Sequence, residues 1–213
     1  MFFTTKETLA SHLVAGIEYV TSKHGAKSIL FGHSAGGGLS QATSNLGLAR
    51  VHALGLIAAF PDYGGFWVYI NWFFKLDPWS LTRVLKDLFH PRSPLSTTQL
   101  VHNAFFSKTF PTDEVRKFER DMPEYESMMW PSQMMGRFVN VAKVKTATEA
   151  GKVVIVSGDE DRLMMRDLFN GERMAGEYEA PIIKVRGGHN VMRYQYWEET
   201  ANTLLQWVQN LDK

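Results

Sequence analysis

The chain has 213 residues, 45% of them hydrophobic, so it can bury one sizeable core, and a single domain carrying an insertion is expected. Its 23 basic and 22 acidic residues leave a net charge of +1, which offers no basis for nucleic acid or an anionic membrane surface as partner. The absence of cysteine excludes disulfides and thiolate metal sites.

The first residues, Met1-Phe2-Phe3-Thr4-Thr5-Lys6, hold no basic segment followed by an apolar stretch, so no signal peptide is read there. No apolar run approaches the ~20 residues that cross a bilayer. The last residues, Leu211-Asp212-Lys213, are not a peroxisomal address, and no N-x-S/T sequon occurs. A cytoplasmic location is the expectation.

In chain order, a helix is predicted from Lys6 to Lys23, with Leu9, Leu13, Ile17 and Val20 on one face and Gly25 just past its end. Thr4 with Glu7 three residues on reads as its capping box. The apolar run Ser28-Ile29-Leu30-Phe31 then reads as a strand, and Gly32-His33-Ser34-Ala35-Gly36 follows it directly. This pentapeptide has the form G-x-S-x-G, with Gly37-Gly38-Leu39-Ser40 able to start a helix behind it. A serine at a sharp strand-to-helix corner is held in a strained backbone that only small neighbours tolerate, and its hydroxyl stands clear of the sheet. A second apolar strand is predicted over Val51–Ala58.

Between 62 and 150 the pattern changes. Prolines at 78, 91, 94, 111, 123 and 131 divide this stretch into short pieces with helix-start signals at Ser96 with Gln99 and at Thr112 with Asp113 and Glu114. It is rich in aromatic and thioether side chains, Trp67, Trp72, Trp79 and Trp130 among them. Two further apolar strands each end in a glycine-bearing loop: Val153–Val156 runs into Ser157-Gly158-Asp159-Glu160-Asp161, and Pro181–Val185 into Arg186-Gly187-Gly188-His189. A closing helix carries Trp197, Ala201, Leu204, Val208 and Leu211 at helical spacing. Near-continuous apolar strands alternating with amphipathic helices predict an α/β fold, a mostly parallel sheet covered by helices.

From the elbow onward the chain resembles the α/β-hydrolase family, in its serine hydrolase branch with a helical lid. In that family the triad runs serine, acid, histidine along the chain, and Ser34, Asp161 and His189 follow that order. The resemblance implies Ser34 as nucleophile, His189 as general base, Asp161 as the acid that orients it, and the backbone N–H of Ala35 as one oxyanion donor. Asp161 is favoured over Asp159, which suits a turn cap. Asp62, in Pro61-Asp62-Tyr63-Gly64, is the rival acid, because some relatives place the acid on the loop after the next strand. The other histidines, His12, His24, His52, His90 and His102, read as structural or surface residues, and His33 as a neighbour of the nucleophile.

The same resemblance divides the chain into a core of 1–61 and 151–213 and a lid of 62–150. It also carries a departure, since the family's first strands and its second oxyanion loop have no counterpart ahead of Ser34. The chain therefore reads as an N-terminally truncated form, with weak turnover and possible self-association through an exposed sheet edge as the expectations. The implied activity is cleavage of an ester or thioester, and the aromatic and thioether surface of 62–150 over the serine favours a small lipophilic acyl substrate. Acyl transfer, carbon–carbon hydrolysis and a non-catalytic binding relative are the alternatives. No cofactor and no metal is expected.

Overall fold

The computed structural model describes residues 3–164 and 171–212. Met1, Phe2 and Lys213, on which the readings of the two chain ends partly rest, lie outside the described residues.

Helix α1 spans Lys6–His24. Its cap is Thr5 rather than Thr4: Thr5 is extended, and its hydroxyl accepts the Thr8 N–H at 3.2 Å, satisfying one orphan donor of the first turn. The backbone of Thr4 is engaged elsewhere, its carbonyl accepting the Ser127 hydroxyl at 3.0 Å. At the other end Gly25 takes the left-handed conformation (φ 66°) that stops the helix. Ala10 and Ile17 are buried, while Val20, predicted on the buried face, is exposed.

Strand β1 (Ile29–His33) leads straight into α2 (Ser34–Asn45), and β2 (Ala53–Ile57) follows. The stretch from β2 to β3 carries six α-helices. They are α3 (Phe66–Asn71), which runs into a π-helical turn over Trp72–Leu76, α4 (Ser80–Lys86), α5 (Thr98–Phe105), α6 (Thr112–Asp121), α7 (Met129–Ser132) and α8 (Val141–Thr146). Then come β3 (Val153–Gly158), α9 (Gly171–Tyr178), β4 (Ile182–Val185) and α10 (Trp197–Gln209). Two helix starts differ from expectation by one residue. α5 is capped by Thr97, whose hydroxyl accepts the Leu100 N–H, rather than by Ser96. In α6 Thr112 is already helical, and Pro111 precedes it.

The four strands form one parallel sheet in the order β1-β2-β3-β4, with Ile29 opposite Ala53, Leu54 opposite Val153 and Ile155 opposite Ile182. Parallel strands need crossover connections, and burial on both faces follows from them. Accordingly β2 is buried at every position. Leu54, Leu56, Val153 and Ile155 face a core shared with Ala42, Val144, Met174 and Tyr178. Ile57, Val156 and Val185 join a second core, with Leu204 of α10 packed against it. The alternation of neighbouring residues between the two cores is the period-two signature of a strand. Beneath the inserted helices lies a third core, in which Phe60, Val68, Trp130, Met134 and Leu163 pack with Leu9 and Leu39.

β1 is an edge of the sheet. Its outer N–H and C=O groups have no strand partner among the described residues, and no lysine, proline or aspartate interrupts Ile29-Leu30-Phe31-Gly32-His33 to guard it. Phe31 remains exposed although it leans over Gly55 and meets Trp207 edge-on at 6.2 Å. The purified chain is expected to self-associate through this edge, with an apparent mass in size-exclusion chromatography that rises with concentration. A monomer at every concentration would rule this out.

Candidate active site

Ser34 sits where β1 turns into α2, with φ 53°, a left-handed conformation that costs a non-glycine residue of order 1–3 kcal/mol and persists only where the surroundings over-determine it. They do so here through close backbone approach. A Cβ at Gly32 would come within 2.5 Å of Ser40 Oγ, and one at Gly37 within 2.3 Å of Ala59 Cβ. Gly36 faces open space, so of the two motif glycines Gly32 is the sterically required one. The Ser34 carbonyl accepts the Phe60 N–H at 2.9 Å, tying the corner to the chain after β2. As Ser34 opens α2, the Ala35 N–H belongs to the first turn, whose donors lack intrahelical partners and lie at the positive end of the helix dipole.

His189 comes from the loop after β4 and is completely buried. Three ties hold that loop. The Gly187 N–H donates to Asp159 Oδ1 at 2.9 Å, the Glu160 N–H to the Gly187 carbonyl at 2.9 Å, and the Asn190 N–H to the Phe105 carbonyl at 2.8 Å. Gly188 allows the backbone of Phe106 and Ser107 to lie against it, since a Cβ there would come within 2.7 Å of the Phe106 carbonyl carbon. The Phe105 ring, at the end of α5, stacks on the imidazole with centroids 5.8 Å apart.

The loops bring three of the candidate side chains into line. The Ser34 hydroxyl lies 2.8 Å from His189 Nε2, and His189 Nδ1 lies 2.9 Å from Asp161 Oδ2. Because an ionised carboxylate only accepts, Nδ1 carries the proton and Nε2 is left to accept from the hydroxyl. Asp161 Oδ1 accepts the N–H groups of Leu163 (2.9 Å) and Met164 (3.0 Å), so both carboxylate oxygens are engaged. Burial alone would raise the Asp161 pKa. The facing His189 and these hydrogen bonds outweigh it and hold the carboxyl below its usual value.

Asp62 is placed elsewhere. It is fully buried, and its Oδ2 accepts from Arg137 Nη1 at 3.1 Å while Oδ1 has no hydrogen-bond partner. Burial, and next the negative charge of Glu177, raise its pKa. Asp159 is spent on the turn described above. His33 donates from Nε2 to the His189 carbonyl at 3.0 Å, its ring 4.8 Å from the His189 ring. Burial first, and His189 second, lower the His33 pKa to about 4, so it is neutral at physiological pH. Of the remaining histidines, His52 bonds to Glu149 and His102 to the Phe110 carbonyl.

Two clefts meet at Ser34. One, about 370 Å³, is walled by Tyr69, Trp72, Phe105, Trp130 and Leu163, with Ala35 beside Ser34 in its lining. Burial raises the Tyr69 pKa to about 12, so its phenol stays neutral. The other, about 420 Å³, is bounded by His33, Phe118, Asn190 and Arg193. Phe105 borders both, and nothing in its local sequence marks it, because its role arises only when α5 packs against the His189 loop. Among the described residues no group of three or more His, Asp or Glu side chains is arranged to hold a metal ion. No helix of the described residues is long and apolar enough to cross a membrane.

A parallel sheet with a strained serine corner and a buried histidine on a later strand's loop defines an α/β-hydrolase fold. The model of the Alpha/beta hydrolase family matches residues 4–203, and the chain belongs to that family. No curated protein matches. Among solved structures, the chain is similar to a thermophilic esterase from Thermogutta terrifontis (TM-score 0.68, 16% identity, covering 99% of this chain and 74% of that one). It is also similar to a bromoperoxidase from Bacillus anthracis (TM-score 0.67, 14% identity, 97% and 75%). A third is the monoacylglycerol lipase of Paleococcus ferrophilus (TM-score 0.56, 16% identity, 98% and 76%). At such identities the likeness is one of fold.

Proposed function

We propose that the protein is a serine hydrolase that cleaves an ester or thioester of a lipophilic acyl group through Ser34, His189 and Asp161. The observation that carries this reading is the unbroken hydrogen-bonded line from Asp161 Oδ2 through His189 to the Ser34 hydroxyl, which lines an apolar cleft.

In this mechanism His189 Nε2 takes the hydroxyl proton as Ser34 Oγ attacks the acyl carbon. Asp161 keeps the tautomer and stabilises the imidazolium that forms. The developing oxyanion turns toward the Ala35 N–H, aided by the positive end of α2. Collapse expels the alcohol or thiol, which receives the proton from His189, and leaves an acyl-serine. Water, deprotonated in turn by His189, releases the acid and restores the hydroxyl. The aromatic walls of the 370 Å³ cleft suit an apolar acyl chain, while polar groups sit where the bond is broken.

The test is a series of p-nitrophenyl esters from acetate upward. Each added methylene buried in the cleft contributes about 0.8 kcal/mol, roughly a fourfold gain in kcat/KM, until the cleft is filled. A flat series would remove the apolar acyl group from the proposal. Covalent labelling of Ser34 without turnover of any ester would favour acyl transfer or a binding role instead.

A further inference from the structure

The 420 Å³ cleft at Ser34 is built around the general base. Of its walls, His33 holds its ring 4.8 Å from that of His189, Phe105 stacks on the same imidazole, and Asn190 is the next residue in the chain. When an acyl-serine forms, the bond to the leaving oxygen breaks and that oxygen takes its proton from His189 Nε2, so the leaving group must lie within reach of that nitrogen. The 370 Å³ cleft, lined mainly by aromatic and aliphatic side chains, suits the acyl half of the ester. The second cleft is left to the alcohol. A smaller hollow of about 250 Å³ adjoins it across Met192 and Arg193, which border both, so a departing group has room beyond its first few atoms.

Asn190 does little for the fold through its side chain. It stands at the cap of the 3₁₀ turn Val191–Arg193, where an asparagine ordinarily accepts a backbone N–H, yet it makes no such bond. It is only 7% exposed, and its Oδ1 has no hydrogen-bond partner. A buried amide oxygen left unpaired is destabilising, and such groups are few in native proteins. The backbone does the structural work: the Asn190 N–H donates to the Phe105 carbonyl at 2.8 Å, and its carbonyl accepts the Arg193 N–H at 3.2 Å. The side chain therefore lines the cleft with its amide oxygen unused.

Arg193 brings donors to the same cleft. Its guanidinium lies 5.3 Å over the Phe118 ring and 3.6 Å from Asp121 Oδ2, too far for a hydrogen bond. Both members of that ion pair are at least half exposed, so the pair is weak and the N–H groups are available to a ligand. The charge is nevertheless balanced, because Asp121 faces Arg193 and Glu114 borders the adjoining hollow. An anion gains little there. A neutral hydroxyl matches better, since it can donate to an amide oxygen and accept from a guanidinium at once, and it pairs with the amide in either orientation.

We propose that the 420 Å³ cleft binds the leaving group, and that Asn190 and Arg193 select an alcohol carrying a second hydroxyl near the ester oxygen. The substrate is then a monoester of a diol or polyol rather than of a simple alkanol. This assignment rests on the acyl-hydrolase reading.

The experiment compares ethylene glycol monooctanoate with propyl octanoate, which share an acyl chain and differ by a hydroxyl in place of a methyl group. In the wild type kcat/KM should favour the glycol ester about tenfold. Asn190→Leu, close in size and without a polar atom, should bring that ratio near one. It should not lower the melting temperature, because it removes an unpaired buried group. Arg193→Met, at a half-exposed position, should lower the ratio severalfold, and it carries the test if Asn190→Leu fails to fold. Calorimetric titration of the two esters into Ser34→Ala reads the cleft without turnover and should show the same preference. A ratio near one in the wild type, or one that either folded variant leaves unchanged, would overturn the proposal while hydrolysis of both esters kept the hydrolase reading. A binding preference in Ser34→Ala that is lost on adding Asn190→Leu, with no hydrolysis by the wild type, would keep the hydroxyl-selecting cleft and remove the hydrolase reading. Neither hydrolysis nor a binding preference would remove both.

Discussion

A fluorophosphonate probe should label the wild-type chain at Ser34, and Ser34→Ala should abolish both labelling and ester hydrolysis. The hydroxyl is a poor nucleophile without the base 2.8 Å away, so His189→Gln should depress both almost as far. In well-organised triads, loss of either member costs about 10⁶ in turnover, and the two losses do not add. The double variant should therefore be no worse than either single one. Labelling quantified by intact-protein mass spectrometry checks this. Persistence of the adduct in Ser34→Ala would mean that another nucleophile reacts and that the strained corner at Ser34 is not the acylation site.

Asp161→Asn should lower turnover by about 10⁴, while Asp62→Asn should leave it nearly unchanged. At position 161 an amide can still accept the Leu163 and Met164 N–H groups, so the loop keeps its shape. Facing His189 with an N–H donor, however, it makes Nδ1 the acceptor and forces the proton onto Nε2, where it blocks transfer from Ser34. Asp62 acts on stability instead. Burial and Glu177 raise its folded pKa above the unfolded value, so its favourable contribution is present at low pH. That contribution is lost as pH rises through the folded pKa. A neutral amide there leaves the half-exposed Arg137 free to hydrate, and the melting temperature should rise by a few degrees at pH 7 and not at low pH. Assays and melts of the two variants at both pH values test the assignment together. Turnover that collapses in Asp62→Asn and survives in Asp161→Asn would transfer the orienting role to Asp62.

The elements were legible where local chemistry governs them. The left-handed Gly25 stop, the strand-corner-helix around Ser34 and the apolar strands ending in glycine-bearing loops all follow from short-range sterics and periodicity. Cap positions were legible only to within one residue. Thr4 and Thr5, like Ser96 and Thr97, offer equivalent hydroxyls, and the choice depends on where the preceding backbone is anchored. Exposure was not legible for the inserted segment. Its aromatic and thioether residues read as mostly the insertion's own small core, yet packing divided them: Trp130 and Met134 went inside and Trp79 and Phe74 outside.

Ser34 and His189 stand 155 residues apart, and Asp161 lies 28 residues before His189. By itself the sequence determined that this chain has a parallel α/β core with a serine corner, because strand period, glycine punctuation and corner sterics act over a few residues. Tertiary structure decided which aspartate meets the imidazole, that Phe105 stacks on it, and that two clefts converge on Ser34. Those contacts join loops whose separation in space is set by sheet order and by the packing of α5 against the β4 loop, and no local pattern of residues encodes either.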